Sequence, residues 1–156
     1  SPDGSIGEDH DPETHLIPLV LQVALGQREK IMIFGDDYET RDGTCIRDYI
    51  HVSDLADAHL RGLKHLQLDR GNLECHLGTG NGFTVKEIID AAREVTGHPI
   101  PAEIAPRREG DPAMLVSGGS RAKDVLGWTP GRGDVRDVIR DAWRFLSENP
   151  NGYSRA

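Results

Sequence analysis

Short β-branched runs alternate with amphipathic helical segments along this chain of 156 residues. Apolar residues recur at helical spacing in four longer stretches, which begin near residues 16, 55, 85 and 135. Alternation of this kind is typical of α/β folds, because each helix buries its apolar stripe against a sheet. The pattern therefore predicts an α/β domain whose strands are the runs Lys30–Phe34, Ile46–Val52, Leu73–Leu77 and Pro99–Ala105.

Polar residues mark where the predicted helices begin. A side chain that can accept a hydrogen bond from the free N–H groups of a first turn precedes each helix, at Thr14, Ser53, Thr84, Ser120 and Asp134. Glu87, three residues after Thr84, completes a capping box, and Gly97 follows the last turn of that helix. His59 lies on the apolar stripe of the second helix and is predicted to be a packed residue, not a ligand.

Charge and composition exclude two classes of partner. The formal net charge of −8 argues against nucleic acid and anionic membrane surfaces, whose phosphates need clustered cations. The longest apolar run, residues 16–25, is too short to span a bilayer.

The two cysteines bear on the cellular compartment. Cys45 and Cys75 are 30 residues apart in the sequence, which suits a reduced cytoplasmic compartment and is also consistent with one disulfide. We therefore expect a cytoplasmic protein.

The clearest candidate for ligand binding is the segment 43–59. Arg47 and Tyr49 point to the same side of a predicted strand because strand side chains alternate. A guanidinium and a phenol placed in this way can hold an anion beside a hydroxylated group. The alternative interpretation is an edge strand that carries two solvated polar residues.

A glycine-rich loop and an arginine-rich loop are further candidates. The loop 78–82 has the spacing G-x-G-x-G, which matches neither the dinucleotide turn nor the P-loop, and a tight structural turn is favoured. The loop with Arg107, Arg108 and Asp111 offers cations for a diphosphate and a carboxylate for a ribose hydroxyl. The spacing of the seven histidines predicts no metal site, and no G-x-S-x-G elbow occurs.

Three motifs in a fixed order carry a resemblance to a known family. They are His15-Leu16-Ile17-Pro18, the stretch from Gly43 to Ala56, and the stretch from Ala105 to Pro112. Together they resemble the UDP-glucose 4-epimerases of the extended short-chain dehydrogenase/reductase superfamily. The resemblance runs from about Gly7 to the last helix and covers only the C-terminal half of such an enzyme. The G-x-x-G-x-x-G turn and the Tyr-x-x-x-Lys pair of the family are missing from the chain.

This resemblance implies a fold, a domain organisation and an activity. Residues 1–150 would be the C-terminal, UDP-sugar-binding lobe of an extended short-chain dehydrogenase (Rossmann-type) fold, lacking the N-terminal nucleotide-binding portion, and residues 151–156 a tail. The start in a polar loop without an initiator Met fits a missing upstream half. The complete enzyme, a homodimer in galactose metabolism, would interconvert UDP-glucose and UDP-galactose through an NAD-dependent 4-keto intermediate. NAD would be bound by the absent half, so this chain alone would be inactive.

The resemblance also implies which residues contact the UDP-hexose. From the start of the first helix, His15 and Leu16 would contact the ligand. Leu115 stands where members with narrow hexose selectivity often place Tyr, so N-acetylated UDP-hexoses are predicted to fit. No catalytic, cofactor-binding or metal residue is expected in the chain. The remaining contacts would be Met32, Ile33 and Phe34 at the uracil, Arg47 and Arg108 at the diphosphate, Tyr49 at the border of the site, and Asp111 at the ribose.

Two other functions are open at this point. One is a related nucleotide-sugar dehydratase or decarboxylase. The sequence Gly-Thr-Cys-Ile-Arg-Asp-Tyr disfavours this function. The other is a free-standing, non-catalytic nucleotide-binding module, which the start in a loop disfavours. If a nucleotide-binding half is missing, elements that normally pack against it are predicted to leave apolar surface exposed and to promote association.

Overall fold

Helices and strands alternate in the computed structural model, which describes residues 1–153. The fold class α/β is therefore confirmed. In chain order the elements are α1 (Leu16–Ala24), β1 (Ile31–Phe34), β2 (Ile46–Asp48), α2 (Val52–Gln67), β3 (Gly82–Thr84), α3 (Val85–Thr96), β4 (Ala102–Ala105), β5 (Met114–Leu115), α4 (Arg121–Leu126) and α5 (Val135–Glu148).

The strands form two small sheets within the described residues. Strands β1 and β4 pair in parallel, with Ile31 opposite Ala102. Strand β2 lies between β3, which is antiparallel to it, and β5, which is parallel. In this second sheet Arg47 is opposite Phe83 on one side and Leu115 on the other. The second sheet therefore carries the segment that the sequence singled out.

The main core lies between α1, α3 and α5. These three helices supply many of the almost completely inaccessible side chains, among them Val20, Leu21, Ile88, Ile89 and Ile139. Burial of each such side chain contributes about 1.5–3 kcal/mol relative to exposure. The predicted capping box is confirmed at α3: Thr84 accepts from the N–H of Glu87, and the Glu87 carboxylate accepts from the N–H of Thr84.

A second, smaller core joins α2 to α4. Ala58, Ala122 and Trp128 are buried there, and the indole Nε1–H of Trp128 donates to the carbonyl of Asp54 over 3.0 Å. The opposite face of α2 is uncovered, because Leu60, Leu63 and Leu66 are each more than half exposed. The predicted exposed apolar surface is therefore confirmed, whereas the tendency to associate stays a prediction.

The N-cap of α2 is His51, so the prediction of Ser53 was wrong. The ring Nδ1 of His51 accepts from the N–H of Ser53 over 3.0 Å, and Nε2 lies 3.0 Å from Oδ2 of Asp141 on α5. Because Nδ1 accepts, a neutral ring carries its proton on Nε2 and donates it to Asp141. The ring is almost completely buried. A histidine thus fixes the start of α2 and ties that helix to α5.

Three other predictions of local structure were wrong. The N-cap of α1 is His15 and not Thr14. Ser120 is confirmed as the N-cap residue of α4, although its side chain makes no capping hydrogen bond. His59 is exposed and its Nδ1 lies 2.7 Å from the carbonyl of Leu55, so it is not packed. Residues 73–77 form no strand, since a strand needs a partner and no described strand pairs with them.

Further observations concern the cysteines, the membrane prediction and the predicted C-terminal tail. Cys45 and Cys75 are both free thiols, which resolves the question of a disulfide. Within residues 1–153, none of the helices combines the length and the apolar character that crossing a membrane requires. Of the predicted tail, Tyr153 packs against Phe145 and its hydroxyl bonds Gly7, while residues 154–156 lie outside the described residues.

Replacement of His51 by Ala is expected to lower the free energy of unfolding by about 2–4 kcal/mol. The change removes the cap of α2 and leaves the largely buried Asp141 carboxylate without its His51 donor. Urea denaturation followed by circular dichroism measures the effect. The matched control is His59→Ala on the same helix, which should change the value by less than about 0.5 kcal/mol. Equal losses in both variants would contradict this role for His51.

Candidate functional site

Arg47 is held at one edge of a candidate ligand site by three hydrogen bonds. Its Nη1 donates to the carbonyls of Ile46, at 2.8 Å, and Pro112, at 2.9 Å. Its Nη2 donates to Oδ1 of Asp111 at 3.1 Å. The side chains of Arg47 and Asp111 are both about four-fifths buried. The guanidinium is therefore fixed in direction before any ligand arrives.

Arg108 approaches the same carboxylate from the other side. Its Nη2 lies 3.0 Å and its Nε 3.1 Å from Oδ2 of Asp111. The Arg108 guanidinium also lies over the ring of Phe34, 4.7 Å from the ring centroid. The carboxylate of Asp111 thus bridges two guanidinium groups. A diphosphate offers acceptor oxygens of the same kind and can compete with Asp111 for both cations.

The neighbouring Arg107 is turned away from this cluster. Its Nε donates to Oδ1 of Asp37 at 2.6 Å, and its guanidinium lies over the ring of Tyr38 at 4.1 Å. Both arginines therefore contact an aromatic ring and an aspartate, but only Arg108 shares its aspartate with Arg47. The structure separates two residues that the sequence could not distinguish.

Strand β1 presents only some of its predicted ligand residues to the surface. Phe34 is 38% exposed and Met32 is half-buried, whereas the side chain of Ile33 is buried in the main core. Alternation of side chains along a strand sends Ile33 to the opposite side from its neighbours. The side chain of Ile33 is therefore turned away from the surface. Its predicted contact with a ligand stays a prediction only for its main-chain N–H and C=O groups. Leu115, opposite Arg47 in register, is 63% exposed.

A broad, open cleft of about 1060 Å³ adjoins the cluster. Of the ten residues predicted to bind a ligand, His15, Leu16, Arg47 and Tyr49 line this cleft. The other six do not line it: Met32, Ile33, Phe34, Arg108, Asp111 and Leu115. Arg47 lines the cleft and also contacts Asp111, so it connects the two groups.

Tyr49 is a neutral hydrogen-bond donor in the cleft. Burial raises the pKa of Tyr49 to about 12, with Cys45 adding to the increase and the positive charge of Arg47 opposing it. The phenol therefore keeps its proton at neutral pH. The Tyr49 hydroxyl makes no hydrogen bond to any residue in the range 1–153, which leaves its O–H free to donate to a ligand.

The loop 78–82 is tied to Asp48, a residue that sequence reasoning missed. The Asp48 carboxylate accepts from the N–H groups of Thr79 and Gly80, at 3.1 Å each, and from the Thr79 hydroxyl at 2.6 Å. It also accepts from the N–H of Ser117 at 3.3 Å. These loop donors are already used, so the loop does not fit the pyrophosphate of a dinucleotide cofactor.

Comparisons with known proteins agree with the resemblance that the motifs carry. The model of the NAD dependent epimerase/dehydratase family matches residues 4–75. A UDP-glucose 4-epimerase of Halalkalibacterium halodurans is 58% identical over 153 residues, which are 98% of this chain and 46% of that protein. One of Streptococcus mutans is 55% identical, over 97% of this chain and 46% of that protein.

Solved structures match over a similar share. A crystal structure of a UDP-glucose 4-epimerase is 64% identical, with a TM-score of 0.94, and the match covers 99% of this chain and 47% of that chain. The resemblance to this enzyme family and its Rossmann-type α/β fold is therefore confirmed. The chain spans about half the length of the curated relatives that it matches.

Replacement of Asp48 by Asn is expected to destabilise the chain by about 1.5–3 kcal/mol, because an amide cannot accept from the same set of donors. Amide hydrogen exchange at Thr79 and Gly80 should accelerate first, and mass spectrometry of the peptide that contains them measures it. The matched control is Asp90→Asn, since that carboxylate is exposed on α3. Unchanged exchange in the Asp48 variant would show that the carboxylate does not hold the loop.

Proposed function

Because the chain is related in sequence and fold to UDP-glucose 4-epimerases over about half of their length, we propose that it is the UDP-sugar-binding portion of such an enzyme. The complete enzyme would interconvert UDP-glucose and UDP-galactose through an NAD-dependent 4-keto intermediate. The observation that carries the proposal is the cluster in which Arg47 and Arg108 share the carboxylate of Asp111.

The cluster has the groups that a UDP-sugar requires. Arg47 and Arg108 supply two guanidinium groups for the diphosphate. Asp111 supplies an acceptor for the ribose, and Phe34 beside Arg108 supplies an aromatic face for the uracil. The hexose would extend along Arg47 toward the cleft, where Tyr49 and His15 are available. This half would therefore hold the nucleotide firmly and would carry out no bond-breaking step itself.

The place of the chain within the complete enzyme is proposed from its sequence motifs. A share of 46 to 47% matches either half of such an enzyme in size. An N-terminal half would bring the Gly-rich turn and the Tyr-x-x-x-Lys pair, and neither pattern occurs in the sequence. We therefore assign residues 1–150 to the C-terminal, substrate-binding lobe. The gene upstream of residue 1 tests this: it should encode both patterns, and their absence there would refute the assignment.

The cofactor would be bound elsewhere. A related structure from Stenotrophomonas maltophila contains NAD and a formylated UDP-arabinopyranose. In this chain the loop 78–82 does not fit a dinucleotide, so we propose that NAD is bound by the part of the relatives that the chain does not cover. A homodimer and a cytoplasmic location of the complete enzyme also stay predictions.

Arg47→Met is expected to weaken the binding of UDP and of UDP-glucose by about 10- to 150-fold, the loss of one charge-assisted contact. Isothermal titration calorimetry on the chain measures it, and NAD should not bind. The matched control is Arg107→Met, which removes an arginine with a similar aromatic contact outside the cluster. Equal weakening by both variants would contradict a specific diphosphate site, as would tight binding of NAD to the chain.

The exposed Leu115 is expected to admit an N-acetylated hexose. UDP-GlcNAc should bind with an affinity similar to that of UDP-glucose, and Leu115→Tyr should weaken UDP-GlcNAc selectively, because a larger side chain would occupy the space of the acetyl group. The same calorimetric titrations test this. Met114→Tyr is the matched control, since Met114 is equally exposed on β5 but points to the other side of the strand. Failure of UDP-GlcNAc to bind the unsubstituted chain would refute the prediction.

A further inference from the structure

Two histidines and a glutamate converge in the loop before α1. His10, Glu13 and His15 bring one ligand atom each to within 4.8 Å of one another. The two imidazole rings meet edge to face, with 5.3 Å between their centroids. This group was missed at the level of sequence, because the spacing from His10 to His15 fits none of the common metal motifs.

Glu13 is the fixed member of the group. Its Oε1 accepts from the N–H groups of Thr14 and His15, at 2.7 Å each, and lies 2.8 Å from Nδ1 of His15. The carboxylate is therefore held in one orientation, and Oε2 makes no hydrogen bond to any part of the described chain.

The segment that carries the group is acidic, which favours a cation. Residues 1–27 contain five Asp and Glu but neither Lys nor Arg. Oε1 of Glu8 lies 3.5 Å from Nδ1 of His15, so a fourth ligand is close. The side chains of Glu8 and His15 are more than half exposed, which leaves them free to rotate, whereas that of Glu13 is only 9% exposed.

We propose that His10, Glu13 and His15 bind a divalent cation of the zinc class, with Glu8 beside them as a fourth ligand. Two imidazole nitrogens and carboxylate oxygen suit Zn²⁺, whereas Mg²⁺ and Ca²⁺ prefer oxygen ligands alone. Bonds of about 2.0–2.2 Å to Zn²⁺ place tetrahedral ligand atoms about 3.3 Å apart. The ligand atoms now lie within 4.8 Å of one another. Rotation of the two exposed histidine rings toward the fixed Glu13 would shorten these distances to the value that Zn²⁺ requires.

The cation site goes beyond the proposed function and does not depend on it. His10 and Glu13 are not among the residues proposed to contact a UDP-sugar, and the three side chains all line the same cleft as Arg47. His15 belongs to both groups. Metal binding is therefore tested without nucleotide, so that a failure of either proposal leaves the other standing.

Calorimetric titration with Zn²⁺ tests the site in a chain freed of metal by a chelator and carrying no polyhistidine tag. All variants carry Cys75→Ser, because a free thiol next to His76 is a further Zn²⁺ ligand in such a titration. One equivalent of Zn²⁺ should bind, and His10→Ala should weaken it at least about tenfold, as even substitutions next to metal ligands do. Glu13→Gln should weaken it at least as much. Co²⁺ should give visible absorption bands that His10→Ala abolishes.

The matched control is His59→Ala, since His59 is also an exposed histidine and lies on α2. This variant should bind Zn²⁺ like the parent chain, and Mg²⁺ should not displace the metal. Absence of Zn²⁺ binding would overturn the proposal, as would equal losses in His10→Ala and His59→Ala. If Glu13→Gln loses its folded circular dichroism spectrum, His10→Ala decides the question, because His10 forms no hydrogen bond on which the described fold depends.

Discussion

The arrangement of the candidate site depends on a strand of three residues. Strand β2 pairs on both sides, with β3 and with β5, and successive side chains therefore point to opposite faces. Ile46 is buried and Arg47 reaches Asp111, while Asp48 holds the loop 78–82. A shift of the pairing by one residue would exchange the faces and separate Arg47 from its partner. The register of this strand is thus the constraint that brings the binding residues together.

Asp111 is the partner of both arginines of the site when no ligand is bound. Its carboxylate neutralises part of the charge of two guanidinium groups that would otherwise repel each other. A diphosphate would replace this carboxylate as their partner and release Asp111 for a hydroxyl group. Because the arginines are already positioned, binding of a ligand would cost little side-chain entropy. Preorganised cations of this kind favour selective binding of a small anion in a protein whose net charge is −8.

Much of the fold could be predicted from the sequence, because its signals are local. The capping box of Thr84 and Glu87 and the helical periodicity need only neighbouring residues, and both were confirmed. His51 escaped prediction because its role as a cap depends on Asp141, 90 residues later. Residues 73–77 have the composition of a strand but lack a partner. The motifs indicated Arg47 and Arg108, whereas only the folded chain shows that the two meet at Asp111.

The division of the apolar residues into two cores has a consequence for how the molecule opens. The small core of Ala58, Ala122 and Trp128 holds α2 and α4 with far fewer buried side chains than the core of α1, α3 and α5. We therefore expect stability to be unequal along the chain, with α2 and α4 unfolding at lower free energy than the remainder. The buried pair of His51 and Asp141 links these two helices to α5. On this expectation α2 and α4 would open before the rest of the chain, and a partner covering the leucines of α2 would raise the stability of these two helices alone.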